Sequence, residues 1–474
     1  MNHVFDSRPI NFDNSYRDLP ARFFTAQKPV PVARPALLAL NLGLANELGL
    51  DPHWLRGPDG LAMLAGNRMP PGAAPLAQVY GGHQFGIFVP QLGDGRAVLL
   101  GEVIDRAGTR RDIQLKGSGR TPYSRGGDGR AWLGPVLREY LVSEAMSGLE
   151  IPTTRTLAAV ATGETVQRET ALPGAVLTRI AASHIRVGTF QYFAARGDTG
   201  ALRLLSDHVM ARHYPHAETP LDMLNGVIAR QASLIAGWMS VGFIHGVMNT
   251  DNMAVSGETI DYGPCAFIDD YSPGKVFSSI DHAARYAYGR QPAVAQWNLT
   301  QFANCLLPLI GESEVAIAAA TAALNRFSDL FDRAWGEIFL RKIGLRRAED
   351  GDRALVARFL AGLAESGGDF TNSFRDLTER RVAEPMQGWR TDWLARLARE
   401  DGDIDATLRA ANPAYIARNH RVQAMIAAAV DGDMAPFETL HRLLKTPFED
   451  QPDFRRYRAP PQAGEVVHNT FCGT

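Results

Sequence analysis

The feature that most constrains the fold is a change of periodicity near residue 200. Before it, short apolar runs at 96–105, 111–116, 154–161 and 175–181 are bounded by glycine or polar clusters and read as strands. Between the second and third runs, Leu133, Val136, Leu137, Leu141 and Met146 recur at helical spacing, which predicts a helix over 131–147. After residue 200 the helical period dominates, first at 221–241 and then in segments such as 314–331 and 415–429. There is no internal repeat at the common solenoid periods and no low-complexity tract. A strand-rich part followed by a helical part predicts an α+β protein that binds its ligand in the cleft between them.

The 474 residues suffice for two or three domain-sized units or one large two-lobed enzyme. Residues 1–75 are irregular and proline-punctuated (Pro29, Pro31, Pro35), with one helical stretch around 36–50, and are expected to wrap over another unit. The remaining units are expected at 76–200 (strand-rich), 201–300 (helical, with a loop-rich stretch from His245 to about Asp281) and 301–474 (a helical extension and tail).

Composition narrows the function classes. With 45% hydrophobic and 21% charged residues, a mostly disordered chain is excluded. A formal charge of −2 gives no electrostatic case for nucleic acid or an anionic membrane as a partner. No run approaches the length of a membrane-spanning helix, and the amino end has no apolar h-region, so no secretory signal is expected. Three cysteines (Cys265, Cys305, Cys472) are too few for a disulfide framework, and a reducing, cytoplasmic setting is expected.

The chemistry-bearing residues cluster in a few segments. In 245–255 (HGVMNTDNMAV), a loop follows a helix and precedes a short strand expected at 253–255. Nine residues after Asn252 comes Asp261, in DYG. Asn252 and Asp261 offer the hard oxygen ligands that Mg²⁺ prefers, with the ion keeping several waters and bridging phosphates. Asp251 adds a carboxylate able to take a proton from a hydroxyl. The plainer alternative is a polar loop with Asx turns. Lys116 closes an apolar strand, and Glu139 lies in the next helix. Such a pair fixes a phosphate-binding ammonium in kinase-like folds; otherwise Lys116 snorkels and Glu139 is solvated.

Gly93, Gly95 and Arg96 form a turn that lets backbone N–H groups approach a nucleotide, but the GxGxxG spacing is missing and the turn contains an acid, Asp94, so taken alone it reads first as a plain hairpin turn. The stretch 116–130 (KGSGRTPYSRGGDGR) is a glycine-dense basic loop suited to polyphosphate. Within it, Asp128 either holds an arginine or reaches a ligand hydroxyl. Arg179 and Arg186 sit among apolar neighbours and need a partner, either phosphate or a structural carboxylate. His184 and His245 are expected as hydrogen-bonded structural residues, and without HExxH or CxxC spacing no zinc is expected.

In order, these parts are a glycine turn, a strand lysine, a helix glutamate, a His-led loop with Asn, and an Asp-aromatic-Gly. That is the part list of a protein-kinase-like two-lobed α+β fold, with a strand-rich N-lobe and a mainly helical C-lobe carrying extra C-terminal helices. One position departs. The residue two after His245 and five before Asn252, where kinases carry their catalytic Asp, is Val247. Either the chain is a non-catalytic pseudokinase, or it runs another transfer with another base, for which Asp251 is nearest.

The combination resembles the selenoprotein O family, pseudokinase-fold protein adenylyltransferases. The likeness runs along nearly the whole chain and includes 80–97 (YGGHQFGIFVPQLGDGRA), 113–131 (IQLKGSGRTPYSRGGDGRA), 245–255, 261–274 (DYGPCAFIDDYSPG) and 281–299. The family's selenocysteine or cysteine position near the carboxyl end matches Cys472. The resemblance implies ATP bound upside-down relative to kinases, with AMP passing to a Ser, Thr or Tyr hydroxyl of a protein and pyrophosphate leaving. It implies that Lys116, oriented by Glu139, holds inner phosphates and that Arg179 and Arg186 grip the buried end of the triphosphate. Gly93, Gly95 and Arg96 line the nucleotide, and Asp128 and Gly129 contact it from the basic loop. Asn252 and Asp261 bind Mg²⁺, with Mn²⁺ as an alternative ion, and Asp251 accepts the proton. The resemblance also points to a redox disulfide between Cys265 and Cys472, whereas Cys305 reads as an inert core thiol. Three competing outcomes stay open: an ordinary kinase, a nucleotide-binding scaffold without turnover, and UMP transfer from UTP with Mn²⁺.

Overall fold

The computed structural model describes residues 10–471. Its centre is an antiparallel eight-stranded sheet in the order β1 (Phe24–Ala26), β3 (Leu76–Gln78), β6 (Ala97–Ile104), β7 (Arg110–Lys116), β10 (Ala171–Ala181), β9 (Arg155–Gln167) and β2 (Ala36–Leu40), with β8 (Ala131–Trp132) paired to β10. Two small pairs stand apart: β4 (Gly82–Gln84) with β5 (Ile87–Val89), and β11 (Phe243–Ile244) with β12 (Ala266–Phe267).

The sheet is covered on both faces, which is why β6 and the middle of β9 are nearly continuous apolar runs. On one face, Val98, Leu100, Ile113, Leu115, Val160 and Val176 pack with Leu44, Leu48, Leu55 and Met63 from or beside the short helices Leu42–Glu47, Pro52–Arg56 and Pro58–Leu64. On the other, Leu99, Ala159 and Leu177 share a core with Leu133, Leu137, Tyr140 and Leu141 of the helix Leu133–Gly148. Successive strand residues point to opposite faces. Ile113 and Leu115 therefore face the short helices, while Gln114 and Lys116 share the other face with Arg179. The β7–β10 register places Gln114 opposite Arg179 and Lys116 opposite Leu177.

Helices dominate after residue 187. Pro220–Ser240 starts with Pro220 behind a reciprocal Thr219–Asp222 capping box and packs against Gln291–Ile310 and Ser313–Lys342. A third apolar core, including Phe339, Phe359, Phe370, Phe374 and Trp393, binds the later helices together. Among the described residues, no helix is long and apolar enough to cross a membrane.

Two local expectations change. The stretch 36–50 is not one helix: residues 36–40 extend the sheet as β2, and Asn41 then caps Leu42–Glu47 by accepting from Leu44 N at 3.2 Å. A capping Asn ends one element and begins another, which apolar periodicity alone cannot reveal. The stretch 253–255 is no strand: its pairing amounts to one isolated bridge, Ala254 opposite Arg186, closed by Val187 N to Met253 O at 2.9 Å and Val255 N to Ile185 O at 3.0 Å.

Candidate active site

The elements described above converge on a cavity of about 550 Å³. The turn after β3, the end of β7, the basic loop, β10 and the two loops flanking β11 and β12 all contribute to its wall. At its inner end lies a charge cluster. Lys116 Nζ donates to Glu139 Oε2 at 2.6 Å and to Asp261 Oδ1 at 2.7 Å. Arg179 reaches the same carboxylates, with Nε at 2.9 Å and Nη2 at 2.5 Å from Glu139 Oε1, and Nη2 at 2.6 Å from Asp261 Oδ1. Gln114 Oε1 accepts from Arg179 Nη1 at 3.4 Å. Arg186 Nη2 lies 3.5 Å from Asp261 Oδ2, and Nη1 lies 3.6 Å from Asp94 Oδ1. The Arg186 guanidinium also stacks on the Tyr80 ring at 4.5 Å. Both arginine side chains are only 2% exposed.

The electrostatics follow from burial and charge together. Burial alone would raise the Asp261 carboxyl, but Arg179, Lys116 and Arg186 hold it well below the usual carboxylate range. Burial likewise opposes ionisation of Glu139, and Arg179 and Lys116 overcome it. Asp261 adopts a left-handed φ of 65°, a conformation that Asp tolerates better than bulkier residues. This backbone geometry turns one carboxylate toward three cations.

Asp251 is different. It is buried, its Oδ2 accepts from Gln84 Nε2 at 3.2 Å, and its Oδ1 has no hydrogen-bond partner among the described residues. Burial pushes its carboxyl up to about 6, against the Gln84 hydrogen bond and Arg186. A carboxylate so tuned is a competent proton acceptor near neutral pH. Asn252 donates from Nδ2 to Val247 O at 2.9 Å, which leaves its Oδ1 as the end available to a cation. Asn252 and Asp261 both line the cavity. Among the described residues no group of three or more His, Cys, Asp or Glu forms a metal cage. Two hard oxygen donors in a wall without a cage fit an ion carried mainly by phosphates and water.

The other residues singled out in the sequence fall as follows. Gly93, Gly95, Arg96, Asp128 and Gly129 line the same cavity. The two glycines of the turn have a packing reason to be glycine: a Cβ at Gly93 would stand 2.4 Å from the Tyr123 ring, and one at Gly95 would stand 2.7 Å from Tyr123 O. Asp128 holds arginine, accepting from Arg168 at 2.8 and 3.2 Å and from Arg130 N at 2.9 Å. Glu139 is buried rather than solvated. His184 and His245 are fully buried, bonded to Asp112 Oδ2 at 2.8 Å and Ile260 O at 2.9 Å respectively. Cys305 is a core thiol pushed up to about 12 by burial. Cys265 is buried beside the site, and Cys472 lies outside the described residues.

A family model described as protein adenylyltransferase SelO matches residues 7–445. The chain belongs to the SelO family. Protein nucleotidyltransferase YdiU of Rhodopseudomonas palustris (strain BisB18) is 59% identical over 485 positions, covering 98% of this chain and 99% of that protein. The YdiU protein of Ruegeria pomeroyi is 56% identical over 471 positions, and that of Methylorubrum extorquens (strain PA1) is 57% identical over 492; each comparison covers 98% of this chain and 99% of the relative. The protein is thus an enzyme of the nucleotidyltransferase class, a SelO-type protein adenylyltransferase. Adenylyl transfer takes ATP as donor and a divalent ion to carry its phosphates.

Three wall residues (Asp94, Tyr80, Gln84) and Gln114, which bonds Arg179 behind the wall, escaped the sequence reading. Asp94 had counted against the glycine turn as a phosphate site, yet it is 1% exposed and faces Arg186. Gln114 was hidden inside an apolar strand, where the period-2 alternation with Ile113 and Leu115 could have exposed it. Tyr80 and Gln84 carry no chemical signature of their own.

Proposed function

We propose that this protein moves AMP from ATP to Ser, Thr or Tyr hydroxyls of other proteins and releases pyrophosphate, with ATP inverted relative to an ordinary kinase. The observation that carries the reading is the meeting of Lys116, Arg179 and Arg186 on one half-buried carboxylate, Asp261. Three fixed cations at the inner end of the cavity suit the β- and γ-phosphates, which leaves the α-phosphorus toward the acceptor. In this reading the acceptor oxygen attacks the α-phosphorus, the bond to the bridging oxygen of pyrophosphate breaks, and the Asp251 carboxylate takes the proton. Glu139 orients Lys116, and the segment of Gly93, Gly95 and Arg96 lines the nucleotide together with Asp128 and Gly129. Asn252 and Asp261 hold Mg²⁺, or Mn²⁺ in its place, which supplies charge neutralisation of the phosphates. Val247 at the kinase aspartate position fits a different transfer with a different base.

We read the whole as a kinase-like two-lobed arrangement: a wrapping extension (1–75), a strand-rich lobe (76–200), a helical lobe (201–300) and a helical extension with tail (301–474). The same reading includes a Cys265–Cys472 disulfide. Its support is that Thr470 pairs with Ser278 and donates from its hydroxyl to Pro264 O, beside Cys265. Counting thiols with and without reductant tests the bond, and an unchanged count rejects it.

Paired labelling tests the main proposal. Label from α-³²P-ATP should pass to acceptor protein, γ-³²P-ATP should leave none, and Asp261→Ala should abolish the signal. Transfer from the γ-position restores the kinase reading, and no transfer from either leaves a nucleotide-binding scaffold.

A further inference from the structure

The hairpin of β4 and β5 lies far from the catalytic segment in sequence but is built against it in space. His83 N donates to Thr250 Oγ1 at 2.6 Å, and Phe85 N donates to Asn249 Oδ1 at 3.0 Å. Between these two anchors, Gln84 Nε2 donates to Asp251 Oδ2 at 3.2 Å. The seat is held from further directions. Tyr286 OH donates to Asn249 Oδ1 at 2.6 Å, Gln191 Nε2 lies 2.8 Å from His83 Nδ1, and Gly81 N donates to Gly188 O at 3.0 Å.

Glycines fix the spacing of this seat. A Cβ on Gly82 would stand 2.7 Å from Thr250 Oγ1, and its φ of 151° is one that other residues rarely adopt. A Cβ on Gly188 would stand 2.2 Å from Gly81 O and 3.3 Å from Asp251 Cα. Gly81, Gly82 and Gly188 thus leave no room for a side chain between the hairpin, the start of the helix Val187–Ala194 and the catalytic segment, so Gln84 sits on a closely fixed seat.

We infer that Gln84 is a positioning residue for adenylyl transfer: its amide holds one oxygen of Asp251 and so fixes the orientation of the carboxylate, whose other oxygen carries no hydrogen bond among the described residues. The inference rests on reading Asp251 as the proton acceptor. Among the described residues, Gln84 is the side chain that donates a hydrogen bond to Asp251, and both line the cavity. A carboxylate free to rotate presents its oxygens to the acceptor only part of the time, and misplacement of a catalytic group is costly in rate. The choice of donor also matters. An arginine or lysine here would form an ion pair and weaken the base, whereas a neutral amide orients it without adding charge.

The test uses the full-length protein, with α-labelled ATP as donor and casein as a hydroxyl-bearing probe. Gln84→Met keeps the length of the side chain and removes the donor. We expect kcat to fall about tenfold or more, the size of one lost charge-assisted hydrogen bond, with the Kd for ATP unchanged within about twofold. In an Asp251→Ala background, adding Gln84→Met should cause no further loss, because the group it orients is gone. The inference is overturned if Gln84→Met leaves kcat intact, if it acts only by weakening ATP binding, or if it lowers residual activity by the same factor in both backgrounds. An Asp251→Ala protein as active as the parent would instead remove the proton-acceptor reading itself, so the two failures are distinguishable.

Discussion

Arg179→Met probes the charge balance on which the site depends. Arg179 is 2% exposed and is shared between Glu139 and Asp261 through contacts of 2.5, 2.6 and 2.9 Å. Methionine fills much of the same space but leaves the buried Glu139 and the half-buried Asp261 with Lys116 and, more distantly, Arg186. Removing one partner of a buried ion pair costs about 3–5 kcal/mol. At about 2 cal/mol/K of unfolding entropy per residue, a chain of 474 residues loses about 1 °C of Tm per kcal/mol, so Tm should drop by about 3–5 °C. The pH dependence has a definite sign. In the parent, Asp261 is held below the usual range, so its stabilisation is complete above the unfolded carboxylate pKa of about 4 and is lost only as pH falls through the folded value. Without Arg179, burial is less opposed and the folded pKa rises. Once it exceeds the unfolded value, stability falls as pH rises across that interval. The gap between parent and variant should therefore widen from pH 5 to pH 8 in paired thermal melts. A variant that melts within 1 °C of the parent, or a gap that narrows with rising pH, would refute the assignment of Arg179 as the counter-charge to these carboxylates.

Lys342 offers a stability test away from the site. It is 2% exposed, with its ammonium 4.4 Å from the Phe374 ring, and burial pushes its amine down to about 7. A folded pKa below the unfolded 10.4 means that stability is lost as pH falls from about 10 toward 7. Lys342→Met should therefore stabilise by about 2–4 kcal/mol near pH 7.5 and by little near pH 10, as read from urea denaturation. Gly93→Ala should destabilise by about 1–3 kcal/mol, because the new Cβ meets the Tyr123 ring at a residue with φ +80°. Tyr123 cannot swing aside freely, since its hydroxyl lies 2.9 Å from Thr25 Oγ1. A Gly93→Ala melt equal to the parent's would show that the turn tolerates a side chain.

How much of this was legible in the sequence depends on the range of the interaction that places each residue. Lys116, Glu139, Asn252 and Asp261 each sit in a local pattern, and their order along the chain carries the fold's logic; their convergence is what that order anticipates. Strands β6 and β9 were equally plain, because burial on both faces leaves an apolar run. The edges of the sheet were not. β1 has three residues, and β2 lies in a proline-rich extension whose apolar letters read as helix until Asn41 is seen to cap the next element. The wall of the site repeats this division. Asp94 looked like a flaw in a phosphate turn because its partner, Arg186, arrives from the start of another helix. Gln84 looked like nothing because its partner, Asp251, is 167 residues away. Even the glycines that drew attention as a nucleotide turn answer first to Tyr123, so a glycine pattern records how closely chains approach without saying whether ligand or protein is the neighbour. Local patterns disclosed the groups proposed to meet phosphate and metal, whereas the neighbours Asp94 and Gln84 came from contacts that only the folded chain creates.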